Sequence, residues 1–198
     1  SPSAAEFQVQ APGQAILDIE RRGKFLIFRL TRRVLLVHLR MSGDLWVEPV
    51  DAPLATHHRL VLELASGRRL AFNDARKFGR AWLVADEQEV LGDLGPEPLE
   101  AGFTASALQE MLQAKARQLK PLLLDQRFLA GLGNIYTDEA LHAAQLHPLR
   151  IANTLNLEET TRLWQAIRIT LAEGIRRQGA SIDWVYRGGD FQNVFRVY

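Results

Sequence analysis

The feature that most constrains this chain is a change of hydrophobic period at Leu94-Gly95-Pro96-Glu97-Pro98-Leu99. Before it, apolar residues recur every second position, as half-buried strands require. After it they recur at about 3.6, as amphipathic helices require. A pattern written for one element cannot pack as the other, so two architectures are implied. Two prolines and a glycine interrupt both periods and mark the junction.

On the N-terminal side, strands are expected near residues 15–20, 25–30, 34–39, 44–47, 59–64, 69–72 and 81–84. Turn signals such as Arg22-Gly23, Ser42-Gly43 and Ser66-Gly67 separate them. This spacing suits an antiparallel sandwich or barrel. Beyond the junction, Thr104 is expected to cap a helix running to about Leu119. Pro121 suits the first turn of a second helix, ending near Leu129. Ala130-Gly131-Leu132-Gly133-Asn134 breaks the pattern, and residues 135–144 resume it. Asn156 with Glu159 forms a capping-box-like pair opening a helix to about Gln178, which Gly179 stops. A last strand is expected at 191–197, and no helix ahead of the first strand. The fold class is α+β, with an N-terminal antiparallel β-sandwich joined by a hinge to a helical domain. The expected divisions are 1–93, a linker at 94–103, a helical domain at 104–180 and a closing region at 181–198.

With 47% hydrophobic residues in 198, the chain can bury a sizeable core. No apolar run reaches the length of a membrane span, and the start carries no charged-then-apolar leader, so a cytoplasmic location is expected. The absence of cysteine excludes disulfides and thiolate metal centres within these residues. The net charge of +1 does not announce a polyanion partner. Placement says more: Arg21, Arg22, Lys24, Arg29, Arg32, Arg33, His38 and Arg40 crowd one region, while acids collect at 86–100 and at Glu158 and Glu159. A binding stripe and ordinary solvated strand faces both fit that placement.

The segment from Lys120-Pro121 through Gly131-Leu132-Gly133-Asn134-Ile135-Tyr136 reads as helix, glycine-rich double turn, helix. A helix starting at Asn134 presents unpaired backbone N–H groups and a positive dipole end to a phosphate. Asn134 and Tyr136 could add side-chain donors. An ordinary helix–loop–helix with glycine caps has the same spacing. His57-His58 is a poor metal pair, because adjacent strand residues face opposite ways.

These motifs resemble the formamidopyrimidine-DNA glycosylase and endonuclease VIII family over nearly the whole chain. Gly133-Asn134-Ile135-Tyr136 is similar to its helix–two-turn–helix signature, and Arg21-Arg22-Gly23-Lys24 to its Arg-Arg-Gly-Lys strand. His38-Leu39-Arg40-Met41-Ser42-Gly43 resembles its His-Leu-x-Met-Ser/Thr-Gly turn. Asp74-Ala75-Arg76-Lys77-Phe78-Gly79 resembles its Asp-Pro-Arg-Arg-Phe-Gly loop, with Ala75 and Lys77 as departures. The junction resembles the family's interdomain linker.

The resemblance implies a base-excision-repair glycosylase and abasic-site lyase that flips oxidised purines, such as 8-oxoguanine and formamidopyrimidines, out of duplex DNA. Met41 and Phe78 are then apolar wedges that fill the vacated stack. Arg76, beside Lys77, reads the orphaned partner base through its guanidinium fork. Lys24 is implied to hold the phosphate beside the lesion and to assist proton transfer. His57, Arg59, Lys115 and Lys120 are implied phosphate contacts, and Glu139 an acid that shapes the site. Residues 179–187 take the place of the lesion-capping loop but depart from its usual Gly-Gly-Ser/Thr-Thr pattern, which leaves the base preference open.

The family's N-terminal proline nucleophile, its following glutamate and its four-cysteine zinc finger have no counterpart in these residues. One structural zinc is therefore expected in the intact parent and no metal or cofactor here, with catalysis expected of the parent and not of the 198 residues alone. The expected partner of a monomeric chain is double-stranded DNA containing a damaged base, with no membrane. Alternatives are an oxidised-pyrimidine glycosylase on the same scaffold and a non-catalytic damage-binding paralogue. An RNA-binding module finds no support in the β-rich half.

Overall fold

The computed structural model describes residues 4–180 and 188–197. The chain divides into two compact units, Ser1–Val90 and Leu91–Tyr198.

In the first unit a helix, α1 (Ala4–Gln10), precedes strands β1 (Ile16–Arg22), β2 (Phe25–Leu30), β3 (Val34–His38), β4 (Gly43–Pro49), β5 (His58–Glu63), β6 (Arg68–Asp74) and β7 (Arg80–Val84). All seven strands predicted from alternation are present. They form two antiparallel sheets, ordered β1-β2-β3-β7 and β4-β6-β5. The period of two decides what lies between them. Phe28, Leu35, Val37, Leu70, Phe72 and Leu83 point inward and are buried together. The expectation of no leading helix is corrected: α1 forms, and its Phe7 packs against that core. A single inward aromatic in seven residues leaves too short a pattern to read as helical.

Of the two readings left open for the basic run, ordinary strand faces fit the structure better. Arg29 is engaged by Glu20 and Glu87, and Arg32 donates to the Pro12 carbonyl. Strand alternation spreads these cations over both sheet faces, so the run of charge in sequence is not a single surface.

The second unit begins with α2 (Gln88–Leu91) crossing the division, then α3 (Ala105–Gln113), α4 (Leu119–Leu123), α5 (Asn134–Ala143) and α6 (Leu157–Arg176). Thr104 caps α3 by accepting from the Ala107 N–H, and Asn156 and Glu159 make the reciprocal capping box of α6. Leu108, Leu112, Leu119, Leu122, Leu123, Leu129, Leu132, Leu163 and Ile167 form a fully buried core. Residues 94–103 pack into this unit rather than standing apart from it. The Gly95 N–H donates to Gln126, the Pro96 carbonyl accepts from Ala130, and the Phe103 carbonyl accepts the Trp164 indole N–H.

Three predicted elements end differently. α3 stops at Gln113 instead of Leu119, because the next residues pair with a distant segment: Gln118 bridges Ile151, and Leu119 N–H donates to Arg150. α4 starts two residues before Pro121 and ends at Leu123, with Pro121 still in the first turn, where its missing N–H costs nothing. The last strand is instead a 3-10 turn, Phe191–Val194. Phe191 and Phe195, four apart, both turn inward, and their rings lie 5.4 Å apart.

Candidate nucleic-acid interface

Unit one places Met41, Arg76, Lys77 and Phe78 on two turns that lean on each other. The first turn follows β3 and enters β4; the second joins β6 to β7. Arg76 Nη1 lies 3.9 Å from Met41 Sδ. Met41 is 67% exposed and Phe78 55%, although both are large and apolar. Neither side chain is therefore part of the sandwich core. Covering each would return about 1.5–3 kcal/mol, so their exposure marks a surface made to be covered.

Both turns are held in unusual backbone. Arg40 and Lys77 have φ of 58° and 60°, a region that non-glycine residues seldom adopt. Gly43 and Gly79 leave no space for a side chain: an added Cβ would lie 2.3 Å from the Leu39 carbonyl oxygen and 2.3 Å from the Phe72 ring, respectively. Asp74 was missing from the sequence reading as a site residue and sits beneath both turns, 1% exposed. Its Oδ1 accepts from Ser42 Oγ at 2.6 Å and from the Arg76 N–H at 3.2 Å, and its Oδ2 from the Gly79 N–H at 2.7 Å. Burial pushes this carboxyl up, but the Ser42, Gly79, Arg76 and Phe78 hydrogen bonds outweigh it and hold the pKa below the usual value.

His57 and Arg59 are tied to the same place. His57 is exposed, its carbonyl accepts from the Asp74 N–H, and Arg59 Nε donates to the Asp74 carbonyl at 2.8 Å. The neighbouring His58 side chain is only 3% exposed, as the opposite-face argument requires.

Lys24 follows Gly23 in the β1–β2 turn, where Gly23 has φ 55°. Although Lys24 is exposed as a residue, desolvation of its ammonium, and then the Arg40 charge, lower its pKa. His38 is the second residue that sequence reasoning passed over. It faces Phe25 across the β2–β3 ladder, and the two rings meet edge-on at 4.8 Å. Burial, then the charges of Arg40 and Lys24, push its pKa down to about 4, and its Nδ1 accepts the Arg40 N–H at 3.1 Å. The imidazole is therefore neutral beside two cations. Its place directly after the apolar run of β3 and before the turn at Ser42-Gly43 was the signal available in the sequence.

Unit two contains the double turn. Gln126 folds it: Oε1 accepts the Gly131 N–H, while Nε2 donates to the carbonyls of Leu124 and Leu132. Gly131 has φ 97°, a conformation that only glycine takes without strain. Gly133 is extended as the N-cap, so α5 opens at an exposed Asn134. Lys120, on α4, reaches this helix, but its Nζ is seated 2.8 Å from Asp138 Oδ2.

The remaining predicted residues are placed differently. The Tyr136 ring packs within the unit: it meets Phe191 at 5.0 Å and fills the space where a Cβ on Gly174 would fall, 2.5 Å away. Glu139 is buried away from the start of α5, and its carboxylate accepts the N–H groups of Arg196 and Val197. Lys115 is exposed just past α3. Most of the expected capping loop, 181–187, lies outside the described residues; Ala180 forms an isolated antiparallel bridge with Asp190. Among the described residues no group of three histidine or acidic side chains converges to hold a metal, and the sequence has no thiolate for the implied zinc centre.

Comparison with known proteins gives the same picture. Residues 1–81 match the formamidopyrimidine-DNA glycosylase N-terminal domain, and residues 94–185 match the formamidopyrimidine-DNA glycosylase H2TH domain. The chain is 43% identical to formamidopyrimidine-DNA glycosylase of Protochlamydia amoebophila, over 91% of its own length and 66% of that protein. It is also 43% identical to the Pelotomaculum thermopropionicum enzyme, over all of this chain and 75% of that one. Lactococcus lactis Fpg in complex with DNA containing N7-benzyl-Fapy-dG superposes with TM-score 0.90 at 34% identity, covering 98% of this chain and 74% of that one. MutM in complex with carbocyclic 8-oxo-G DNA does so with TM-score 0.90 at 36% identity, with the same coverage. The chain thus spans 66% to 75% of the length of these relatives. With both domains matched in order, and exposed Met41 and Phe78 on their paired turns, the chain belongs to the formamidopyrimidine-DNA glycosylase family.

Proposed function

We propose that this chain is the DNA-gripping body of a base-excision-repair glycosylase and abasic-site lyase that removes oxidised purines from duplex DNA. The observation that carries this reading is the exposed trio of Met41, Arg76 and Phe78 on adjoining turns. A base inside a duplex must leave the stack before chemistry can reach it, and the gap must be filled. A thioether and a phenyl ring are suitable fillers, and a guanidinium beside them can donate two hydrogen bonds to the stranded partner base. The loop that supplies Arg76 and Phe78 resembles that of the purine-type enzyme, which supports the purine-lesion reading over the pyrimidine one.

Lys24 is the residue here that would touch the reaction. Its lowered pKa fits an ammonium able to give and take a proton beside a phosphate. The resemblance assigns the covalent step to an N-terminal proline amine that has no counterpart in these residues. It would attack the anomeric sugar carbon, the glycosidic bond would break with the base leaving protonated, and sugar-ring opening would give the Schiff base. A cytoplasmic location for the intact protein accords with the chain's bacterial relatives, and no described helix is long and apolar enough to cross a membrane.

Binding tests the reading without requiring catalysis. The 198-residue chain should bind a duplex carrying a tetrahydrofuran abasic analogue more tightly than the same duplex intact. Arg76→Ala should cost about 1–3 kcal/mol with cytosine opposite the gap and narrow the preference for it. An equal loss for every opposite base would end its assignment as a reader. Lys120→Met should weaken all duplexes alike and reduce the slope of log K against log salt by less than about one, because Asp138 already holds part of that charge. A loss confined to one duplex would instead make Lys120 part of lesion recognition.

A further inference from the structure

The geometry points to Asp74 as the positioning group that locks the Met41 turn and the Arg76 and Phe78 turn into one rigid reading head. This rests on the functional reading above and deepens it: opposite-base recognition depends on a residue that need never touch DNA.

An aspartate accepting from the N–H two residues on is an ordinary way to close a turn, and the bond from the Arg76 N–H is of that kind. Two further bonds are not. Ser42 lies 32 residues away in sequence, next to Met41, yet its hydroxyl donates to the same oxygen at 2.6 Å. The Gly79 N–H, immediately after Phe78, donates to the other oxygen at 2.7 Å. The residues adjoining both wedges and the residue bearing the reader are thus fixed by one buried carboxylate.

The backbone of Asp74 extends the junction to the phosphate-facing pair, through its N–H to His57 and its carbonyl to Arg59. Gly43 is its opposing residue in the β4–β6 ladder, so both turns leave the sheet at the same level. The left-handed backbone of Arg40 and Lys77 needs such a holder, because strained conformations persist only where their surroundings over-determine them. Pre-placing Arg76 matters for selectivity. A guanidinium that must first be ordered spends part of its interaction on ordering, equally for every partner base.

The test is binding of the 198-residue chain to tetrahydrofuran duplexes with cytosine or adenine opposite the gap, well below the unfolding transition. Asp74→Asn puts an amide donor against the Gly79 N–H or one of its neighbours. It should lower affinity for the cytosine duplex by about tenfold and level the two partners. Ser42→Ala leaves the Asp74 turn intact and removes only the link between turns. The contact of Arg76 with Met41 Sδ should make Met41→Ala and Arg76→Ala non-additive in the parent, and loss of the hydroxyl should reduce that coupling to the part carried by the direct contact. Ser42→Thr, which keeps the hydroxyl, should restore that coupling. Should Asp74→Asn fail to fold, the serine series decides. Unchanged coupling and preference in folded Ser42→Ala would overturn the role of Asp74 while leaving the functional reading intact. No effect of Arg76→Ala and Phe78→Ala themselves would remove the functional reading, and this inference with it.

Discussion

Replacing Leu132 with alanine is expected to destabilise the second unit by about 2–5 kcal/mol, the range for removing most of a buried leucine. Leu132 is 0% exposed and sits between the two glycines of the double turn, with its carbonyl held by Gln126. Most buried leucines of this core lie on helices, whose backbone hydrogen bonds would survive truncation. Leu132 is the apolar plug of an irregular segment that has few such bonds. A collapsed cavity there would let Gly133 and Asn134 move, so DNA binding should fall even under conditions where the unit remains folded. Urea titration of the two proteins, with affinity for an abasic duplex measured alongside, checks both parts. The exposed Leu149→Ala is the control and should change stability by no more than about 0.5 kcal/mol. A Leu132→Ala chain as stable as that control would show that the turn does not depend on its plug.

The second large effect is pH dependence from His38. Its folded pKa of about 4 lies below the 6.5 of a free imidazole. Such a group binds more protons when unfolded, so its contribution to stability is complete above pH 6.5 and is lost as pH falls toward 4. The loss should total about 3 kcal/mol, with about 2 kcal/mol gone by pH 5, before most carboxylates titrate. Lys24 and Arg40 are the charges facing the ring, both cationic, and the Arg40 N–H already occupies Nδ1. Protonation would therefore add a third positive charge and break a hydrogen bond. His38→Gln can keep an acceptor for Arg40 without titrating, and should flatten the stability curve between pH 7 and 5. Parallel curves for parent and variant would mean that the imidazole is not held neutral by this packing.

Much of this could be read from the residues. Strands were legible wherever alternation met a buried face: Leu26, Phe28 and Leu30 in β2 pack toward the sandwich core, as the period of two demands. Asn156 and Glu159 fixed the start of α6 because a capping box is a local device. Misplaced boundaries share a cause, namely partners remote in sequence. Nothing within 114–119 forbids helix; the bridge of Gln118 with Ile151 does. Likewise, the aromatic spacing at 191 and 195 suited a strand until Tyr136 supplied a surface for Phe191.

The site divides in the same way. Met41, Arg76 and Phe78 were visible because their motifs are contiguous, whereas Asp74 and His38 were passed over as site residues. Their importance lies in what meets them from elsewhere, Ser42 in one case and Phe25 in the other. The packing of Tyr136 was hidden in the same way, because the missing side chain of Gly174 offers its ring a berth on another helix. Contacts of that kind become visible only when the chain is folded.

The seating of Lys120 on Asp138 has a consequence for traffic along the genome. An ammonium that already owns an anion gains less from a passing phosphate, since one electrostatic partner is merely exchanged for another. If Lys120 meets the backbone as proposed, every duplex would then be held more loosely at this point than by an unpaired ammonium, and discrimination would fall to the side chains that fill and read a gap rather than to the charge.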